Sequence, residues 1–335
     1  MKKALVFGAT GQLGCYSALD LKDHGYDVIA VGRRASDNGF FATREIDFIG
    51  GVNIEDKSAY KKLPQKGIDV VVNMAGTMPA HATPEMMPYV QSIIAGTVNV
   101  CEWMKKIGCM RIIFNTTPSD VAAYWGTTTP INDDAPRSFP KNGGDHAVYA
   151  ICKNAAADIL ENMQITSGFE PCIFRHFMVY GWHPDAIYYI NGERRVYPWR
   201  QIIRNCIAGN DIEVWGDTKR LKELLYIKDF SNAVVCAAET HSCGIFNLPG
   251  KRPYSIEEQI DGLMNAFSPA NAKKIYFPDK PNSPQYTLAH GKTEQNLNWM
   301  PKWTWEEACI DMRKEMIANP IELMWGKVDE ADRIS

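Results

Sequence analysis

Residues 4–14 read ALVFGATGQLG, a short apolar run that leads directly into a glycine-rich turn. The apolar run is typical of a buried parallel strand, and residues 13–24 have the spacing of a helix. Glycines allow a backbone to approach a pyrophosphate, and a helix N-terminus offers free N–H groups and a positive dipole. This strand–turn–helix context predicts a dinucleotide-binding turn, and the alternative is a purely structural turn.

The alternation of strand and helix continues along the chain. Further strands are predicted at residues 28–31, 70–73, 111–114 and 245–248, and further helices at about 90–107, within 223–240 and at 305–318. Such alternation predicts an α/β fold, a Rossmann-type doubly wound parallel sheet with right-handed crossovers.

The chain is expected to form a larger and a smaller lobe. Residues 1–180 are the predicted NAD(P)-binding Rossmann domain, and segment 224–250 is expected to return to it. Residues 181–335 form mainly a smaller C-terminal lobe. Within this lobe, segment 182–200 is rich in aromatic and basic side chains, which suit a nucleobase and phosphates. An interface or packing within the lobe is an equal alternative.

Composition narrows the classes of partner and compartment. The 335 residues carry a net charge of −3, which gives no reason to expect nucleic acid or an anionic membrane as partner. No apolar stretch approaches the roughly 20 residues of a membrane span, and the run after Met1 ends at Phe7, too soon for a signal peptide. Nine cysteines without a CxxC pair indicate free thiols in a reducing compartment. We expect a cytoplasmic protein.

The residues after the second predicted strand bear on the choice of cofactor. An acidic residue usually holds the ribose 2′-hydroxyl there, but here Gly32 is followed by Arg33 and Arg34. Two guanidinium groups suit a 2′-phosphate. The sequence therefore predicts NADP rather than NAD, and the alternative is a solvated arginine pair in a loop.

Tyr149 and Lys153 form a candidate acid/base pair. Their spacing of four places both on one face of a helix. A tyrosine pKa near 10 is too high for acid/base work at neutral pH. A nearby ammonium is expected to lower it, so that Tyr149 exchanges a proton with a substrate hydroxyl while a nicotinamide exchanges hydride.

A hydroxyl donor is expected to orient the substrate oxygen. The strand at 111–114 leads into Asn115, Thr116 and Thr117 at the carboxyl edge of the sheet. Thr117 is the first choice, with Thr116 and Ser119 as alternatives. Capping of a helix or turn is the competing interpretation for this segment.

Together these features resemble the extended short-chain dehydrogenase/reductases, especially the NAD-dependent epimerase/dehydratase family that acts on nucleotide sugars. The resemblance covers about residues 3–315. Its ordered marks lie at residues 8–14, 73–76, 96–99, 116–126, 149–153, 175–181, 215–217, 226–229 and 298–301.

The resemblance implies the roles of individual residues. Tyr149 is the implied acid/base, Lys153 its partner and Thr117 the hydroxyl residue, and Lys222 stands where the family often has an arginine on the substrate diphosphate. The second lobe is implied to bind the sugar nucleotide, and the enzyme to form a homodimer through helices flanking the site. The predicted cofactor-binding residues are Gly8, Thr10, Gly11, Gln12, Leu13, Gly14, Arg33, Arg34, Asn53, Ile54, Met74, Ala75, Gly76, Tyr149 and Lys153.

Three departures from the family pattern concern the reaction. The segment after Thr117 is longer than usual, Pro118 and Ser119 stand where dehydratases have an Asp-Glu pair, and Met178 replaces a common asparagine. A 4,6-dehydratase needs an acid and a base beyond the tyrosine. Asp120 could serve only if the longer loop folds back.

We therefore predict a nucleotide-sugar epimerase or 4-ketoreductase that transfers hydride at one sugar carbon. The alternatives are an NADP-dependent reductase of a non-sugar carbonyl, a sugar-nucleotide dehydratase, and an NADP-sensing regulator. Tyr149 and Lys153 argue against the regulator, which needs neither. No metal site is predicted, because no ligand spacing unites the histidines near the motifs: His81, His146, His176 and His183.

Overall fold

The computed structural model describes residues 1–79, 85–138, 145–190, 193–268 and 272–334. Each apolar run predicted as a strand forms one within a residue of the expected bounds. The strands are β1 (Lys3–Phe7), β2 (Asp27–Val31), β3 (Asp47–Ile49), β4 (Val70–Asn73), β5 (Arg111–Asn115), β6 (Glu170–Arg175), β7 (Val179–Tyr180), β8 (Ile187–Ile190), β9 (Glu193–Val196), β10 (Ile212–Trp215), β11 (Leu221–Glu223), β12 (Leu225–Tyr226), β13 (Gly244–Asn247), β14 (Pro253–Ser255) and β15 (Lys274–Phe277).

The predicted helices are present, one of them with an irregular start, and among the described residues the structure adds five that were not predicted. They are α1 (Gln12–Asp23), α2 (Met87–Tyr89), α3 (Gly96–Ile107), α4 (Asp145–Ser167), α5 (Pro198–Ile207), α6 (Ile227–Glu239), α7 (Ile256–Phe267), α8 (Gly291–Leu297), α9 (Trp305–Ala318) and α10 (Glu322–Trp325). The helix expected at 90–107 begins as a π-helical stretch, Val90–Ala95, and becomes α-helical at Gly96.

The central sheet has seven strands in the order β13-β6-β5-β4-β1-β2-β3. Every pairing in it is parallel. The strand order reverses between β1 and β4, and ligands of such sheets bind in the crevice at the carboxyl ends of the strands beside this reversal. The predicted Rossmann-type α/β fold is confirmed.

The sheet is buried on both faces, as a parallel sheet requires. Ala4 and Val6 of β1 pack into the cluster that includes α1 and α6, whereas Leu5 and Phe7 pack into the cluster with α3. Phe7 meets Trp103 of α3 edge-on, with ring centroids 5.9 Å apart. Burying each such large apolar side chain stabilises the fold by roughly 1.5–3 kcal/mol, so β1 holds the glycine turn on a rigid base.

The chain beyond residue 181 contributes to both parts of the molecule. α6 packs against α1, and β13 extends the central sheet beside β6. The remainder forms small two-stranded sheets and the helix pair α7–α9. This pair packs closely, because a Cβ at Gly262 would lie 2.4 Å from the Trp305 ring.

All nine cysteines are free thiols, seven of them buried. Within the described ranges, no helix is both long enough and apolar enough to cross a lipid bilayer.

Candidate active site

The three glycines of the turn after β1 lack a side chain for different reasons. Gly8 has a φ of +73°, and a Cβ there would lie 2.8 Å from the backbone of Met74 and Ala75. A Cβ at Gly14 would lie 2.3 Å from the carbonyl oxygen of Gly8. At Gly11 the nearest atom would be 3.5 Å away, an ordinary contact. Packing therefore explains Gly8 and Gly14, whereas Gly11 suits the close approach of a ligand.

The helix behind the turn presents its backbone rather than its side chains. α1 begins without a side-chain cap and without an acidic residue in its first turn, so its first N–H groups lack a partner within the helix. The Gln12 amide donates to the Gly181 carbonyl at 2.9 Å, and Leu13 packs on the core. The Thr10 carbonyl accepts a 2.8 Å hydrogen bond from the Trp325 indole.

The end of β2 carries two arginines in different states. Arg33 is exposed and makes no hydrogen bond or ion pair within the described part of the chain. The guanidinium of Arg34 lies 3.8 Å from the centroid of the Trp325 ring and donates to the Met324 carbonyl at 2.9 Å. No carboxylate of the described residues pairs with either cation.

Asn53 and Ile54 lie after β3. The Asn53 side-chain oxygen accepts from the Glu55 N–H at 3.3 Å. Ile54 is buried against α3, where a Cβ at Gly96 would lie 2.7 Å from its Cδ1. Local packing accounts for both side chains, and their predicted contact with cofactor stays a prediction.

Met74, Ala75 and Gly76 follow β4 and adjoin the glycine turn. The Met74 N–H donates to the Phe7 carbonyl at 3.2 Å, and the Ala75 N–H donates to the Asn73 side chain at 3.2 Å. The first bond holds the loop after β4 against the end of β1, across the strand-order reversal, and the second shapes the loop itself.

Tyr149 and Lys153 are one turn apart on α4. Lys153 Nζ lies 5.9 Å from the centroid of the Tyr149 ring and donates to the carbonyl oxygen and Oδ1 of Asn115, at 3.0 and 3.1 Å. Because Asn115 ends β5, the pair lies at the carboxyl edge of the sheet, the edge that carries the glycine turn. Within the described residues the Tyr149 hydroxyl has no hydrogen-bond partner.

Burial dominates the titration of this pair. It lowers the pKa of Lys153 to about 7. It also raises the pKa of Tyr149 above its ordinary value, and the Tyr197 phenol acts in the same direction. The expectation that Lys153 lowers the tyrosine pKa is wrong for this arrangement, because desolvation of the phenol is the dominant effect. Tyr149 is thus held protonated, the form that donates to a substrate oxygen.

The hydroxyls after β5 are buried. The Thr117 oxygen accepts from the Ser119 N–H at 3.3 Å and caps the turn Pro118–Asp120. The capping interpretation therefore accounts for the hydrogen bond that this oxygen accepts. The Thr117 hydroxyl proton has no acceptor within the described ranges. Thr116 Oγ1 is buried without a hydrogen-bond partner there, and so is Nε2 of His176, which follows neighbouring β6.

Asp120 does not reach the active site as a free carboxylate. Its two oxygens accept three bonds of 2.8 to 3.0 Å from the Arg175 guanidinium, and both side chains are fully buried. Arg175 also donates to the Asp133 carbonyl at 2.9 Å and to Asn247 at 3.2 Å. The longer loop therefore folds Asp120 into a structural ion pair.

Lys222 lies on β11, which pairs with β14 in an antiparallel two-stranded sheet. It is half-buried, and burial lowers its pKa to about 8. Among the residues that the structure describes, no carboxylate pairs with it. A desolvated and unpaired lysine fits a site for an anion.

In His176 and His183 one ring nitrogen is hydrogen-bonded, whereas Nε2 is buried without a hydrogen-bond partner among the described residues. His176 Nδ1 donates to the Phe177 carbonyl, and His183 Nδ1 accepts from the Asp185 N–H. Burial lowers the pKa of both to about 4. His146 is exposed and His81 lies outside the described residues.

The sequence model of the NAD dependent epimerase/dehydratase family matches residues 4–248, which is most of the chain. The chain belongs to this family. It is therefore an enzyme of the epimerase/dehydratase type, and the resemblance drawn from its motifs is confirmed.

Individual relatives are distant but cover nearly the whole chain. A UDP-glucose 4-epimerase 2 of Oryza sativa subsp. japonica is 23% identical and spans 96% of this chain and 83% of its own length. A UDP-N-acetyl-alpha-D-glucosaminuronate decarboxylase of Bacillus cytotoxicus is 26% identical over 91% and 95%. The solved UDP-glucose 4-epimerase of Bifidobacterium longum, in complex with NAD+ and UDP, has a TM-score of 0.74 at 18% identity and covers 96% and 99%.

Sequence reasoning missed two side chains of this family member's candidate site. Asn115 was noted only as part of a strand end, although a polar residue at the carboxyl end of a parallel strand signals a site. Trp325 gave no signal, because its contacts with Thr10 and Arg34 join residues about three hundred positions apart.

Proposed function

We propose that this enzyme is a nucleotide-sugar epimerase or 4-ketoreductase with Tyr149 as its acid/base. The observation that carries the proposal is the group of Tyr149, Lys153 and Asn115 at the carboxyl end of β5, on the same sheet edge as the glycine turn. The relatives that act at C4 of UDP-sugars support a nucleotide-sugar substrate.

The residues present fit a dinucleotide. Gly11 is free of internal packing, α1 starts without a cap, and Arg33 is a cation without a partner in the described chain. Two buried polar atoms without partners, Thr116 Oγ1 and His176 Nε2, lie at the ends of β5 and β6. When bound, the nicotinamide supplies hydride exchange.

The side chains divide the remaining work. Tyr149 exchanges a proton with the substrate hydroxyl or carbonyl oxygen, and Thr117 donates its free hydroxyl proton to the same oxygen. Asn115 holds Lys153 beside the phenol. A substrate oxyanion near Nζ favours the charged lysine, which then stabilises the phenolate.

Dehydration is disfavoured by the loop after β5. Pro118 and Ser119 supply no carboxylate, and Asp120 is bound to Arg175. The extra acid and base that removal of water requires are thus missing from this loop, so we propose hydride chemistry at one carbon, without loss of water.

The small lobe is proposed to bind the sugar nucleotide. In this division residues 1–180 with 224–250 hold the dinucleotide, and the rest of 181–335 holds the substrate, with Lys222 on its diphosphate. The desolvated, unpaired ammonium of Lys222 supports this role. We further propose a homodimer, which sedimentation analysis would test.

NADP is the proposed cofactor. Gly32 offers no carboxylate to a ribose hydroxyl, and Arg33 and Arg34 carry unpaired charge at the end of β2. The solved epimerase of Bifidobacterium longum holds NAD+, so calorimetric titration of both cofactors decides. Tighter binding of NAD than of NADP would refute the preference.

The reaction is tested by incubating the enzyme with a panel of UDP-hexoses and their 4-keto derivatives, with each cofactor. Mass spectrometry and chromatography read the products. An unchanged mass with altered retention indicates epimerisation, and a gain of two hydrogens from a keto-sugar indicates reduction. A product lighter by one water contradicts the proposal, and Tyr149→Phe is the matched inactive control.

A further inference from the structure

The last described part of the chain runs along the dinucleotide turn. We call residues 319–334 the C-terminal strap. On the Rossmann side its backbone carbonyls accept hydrogen bonds from three side chains: Arg34 donates to Met324 at 2.9 Å, Asn38 to Leu323 at 3.1 Å, and Arg44 to Pro320 at 2.9 Å.

The other end of the strap is anchored in the small lobe. Asp332 is buried and pairs with Arg200 at 2.8 Å, and it accepts from Arg204 at 3.0 and 2.9 Å. At the start of the strap, the Trp182 indole donates to the Asn319 side chain at 3.1 Å. The strap is therefore fixed at both ends and passes the glycine turn between them.

Trp325 is the strap residue that faces the cofactor-binding elements. Its indole N–H donates to the Thr10 carbonyl at 2.8 Å, and its ring lies under the Arg34 guanidinium at 3.8 Å. The His183 ring meets it edge-on at 4.6 Å. One side chain thus links the glycine turn, the arginine after β2 and the small lobe.

The electrostatics of this stack suit an anion. Arg34 is held by an aromatic face and a carbonyl, both neutral, and the described residues place no carboxylate on it. An arginine held by neutral groups has no competing carboxylate and loses less side-chain freedom when an anion binds. Neighbouring Arg33 supplies a second unpaired charge.

We propose that Trp325 is a positioning residue for cofactor choice, which holds Arg34 ready for the 2′-phosphate of NADP. This inference rests on the proposed preference for NADP. NAD has no phosphate at the 2′-position. The stacking that orders Arg34 therefore favours the binding of NADP and not that of NAD. Loss of the ring should therefore change the ratio of the two affinities as well as their size.

The test uses calorimetric titration of the full-length enzyme with NADP and with NAD. For Trp325→Leu we expect NADP binding to weaken about three- to tenfold, the size of one cation–π contact, and NAD binding to weaken clearly less. Trp325→Phe keeps an aromatic face under Arg34 and should restore the ratio. Leu323→Ala, an exposed neighbour on the same strap, is the matched control and should bind as wild type.

The outcomes separate this inference from the proposed cofactor preference. A wild-type enzyme that binds NAD as tightly as NADP refutes the preference, whatever the variants do. If Trp325→Leu binds both cofactors equally more weakly, or binds both as tightly as the wild type, the proposed role of Trp325 is overturned. If that variant does not fold, Arg34→Lys keeps the charge but lacks the planar stack. Arg34→Lys should lower the ratio of NADP affinity to NAD affinity about three- to tenfold, because the same contact is lost. An unchanged ratio overturns the inference.

Discussion

Lys153→Met should change how the stability of the protein depends on pH. Burial lowers the pKa of Lys153 from 10.5 to about 7. Between these values the folded protein has a neutral Lys153 while the unfolded chain still binds the proton, so the wild type becomes more stable as the pH rises. The full slope of about 1.4 kcal/mol per pH unit is reached above about pH 8, because Lys153 is still half protonated at pH 7, so roughly 2 kcal/mol accumulates from pH 7 to pH 9. Below pH 7 both states are charged and the slope vanishes.

The assay is urea unfolding of wild type and Lys153→Met at pH 6, 7, 8 and 9, with bound dinucleotide removed. The variant also loses two hydrogen bonds to Asn115, which shifts its stability at every pH. The diagnostic quantity is therefore how the difference in free energy of unfolding between wild type and variant changes with pH. Lys61→Met removes an exposed lysine and should run parallel to the wild type. If the free energies of unfolding of wild type and Lys153→Met differ by the same amount at pH 7 and pH 9, the lowered pKa of Lys153 is refuted.

Three further outcomes are expected. Tyr149→Phe removes only the hydroxyl, so turnover should fall about 10²–10⁴-fold with unchanged circular dichroism, and full turnover would disprove the acid/base role. Arg33→Ala loses one charge-assisted contact, so calorimetry should find NADP binding about tenfold weaker or more and NAD binding nearly unchanged; equal losses would contradict the role of Arg33. Asp120→Asn leaves Arg175 without its buried partner and should lower the free energy of unfolding by about 3–5 kcal/mol. The matched Asp134→Asn breaks an exposed pair and should cost under about 1 kcal/mol; equal losses in urea unfolding would contradict the structural role of Asp120.

Five of the seven strands of the central sheet could be predicted from sequence because their signals are local, whereas β3 and β6 were not predicted. Each of the five is a short apolar run closed by a turn, and the glycines at 8, 11 and 14 mark where a backbone must come close to another group. The helix at Trp305–Ala318 was also readable, because its capping residues and its apolar spacing lie within one segment. Local patterns of this kind require no knowledge of the tertiary structure.

The electrostatics of the site could not be predicted in the same way. The pairing of Asp120 with Arg175 joins residues 55 positions apart, and only the folded loop shows that it removes the carboxylate from the site. The raised pKa of Tyr149 comes from its burial and from the neighbouring Tyr197 phenol. Sequence spacing placed Tyr149 and Lys153 together, but it carries no information about their solvation.

The C-terminal strap has a consequence for synthesis on the ribosome. β1 to β6 are complete at residue 175, whereas the contact of Trp325 with Thr10 joins residues 315 positions apart. At about 5–20 residues per second, roughly 15–60 s separate the emergence of these two residues. Throughout that interval the Thr10 carbonyl is without its Trp325 partner, although β2 and β4, which flank β1, are already synthesised for most of it. The contact between the strap and the glycine turn therefore forms only after β1 to β6 have been synthesised and Trp325 has emerged.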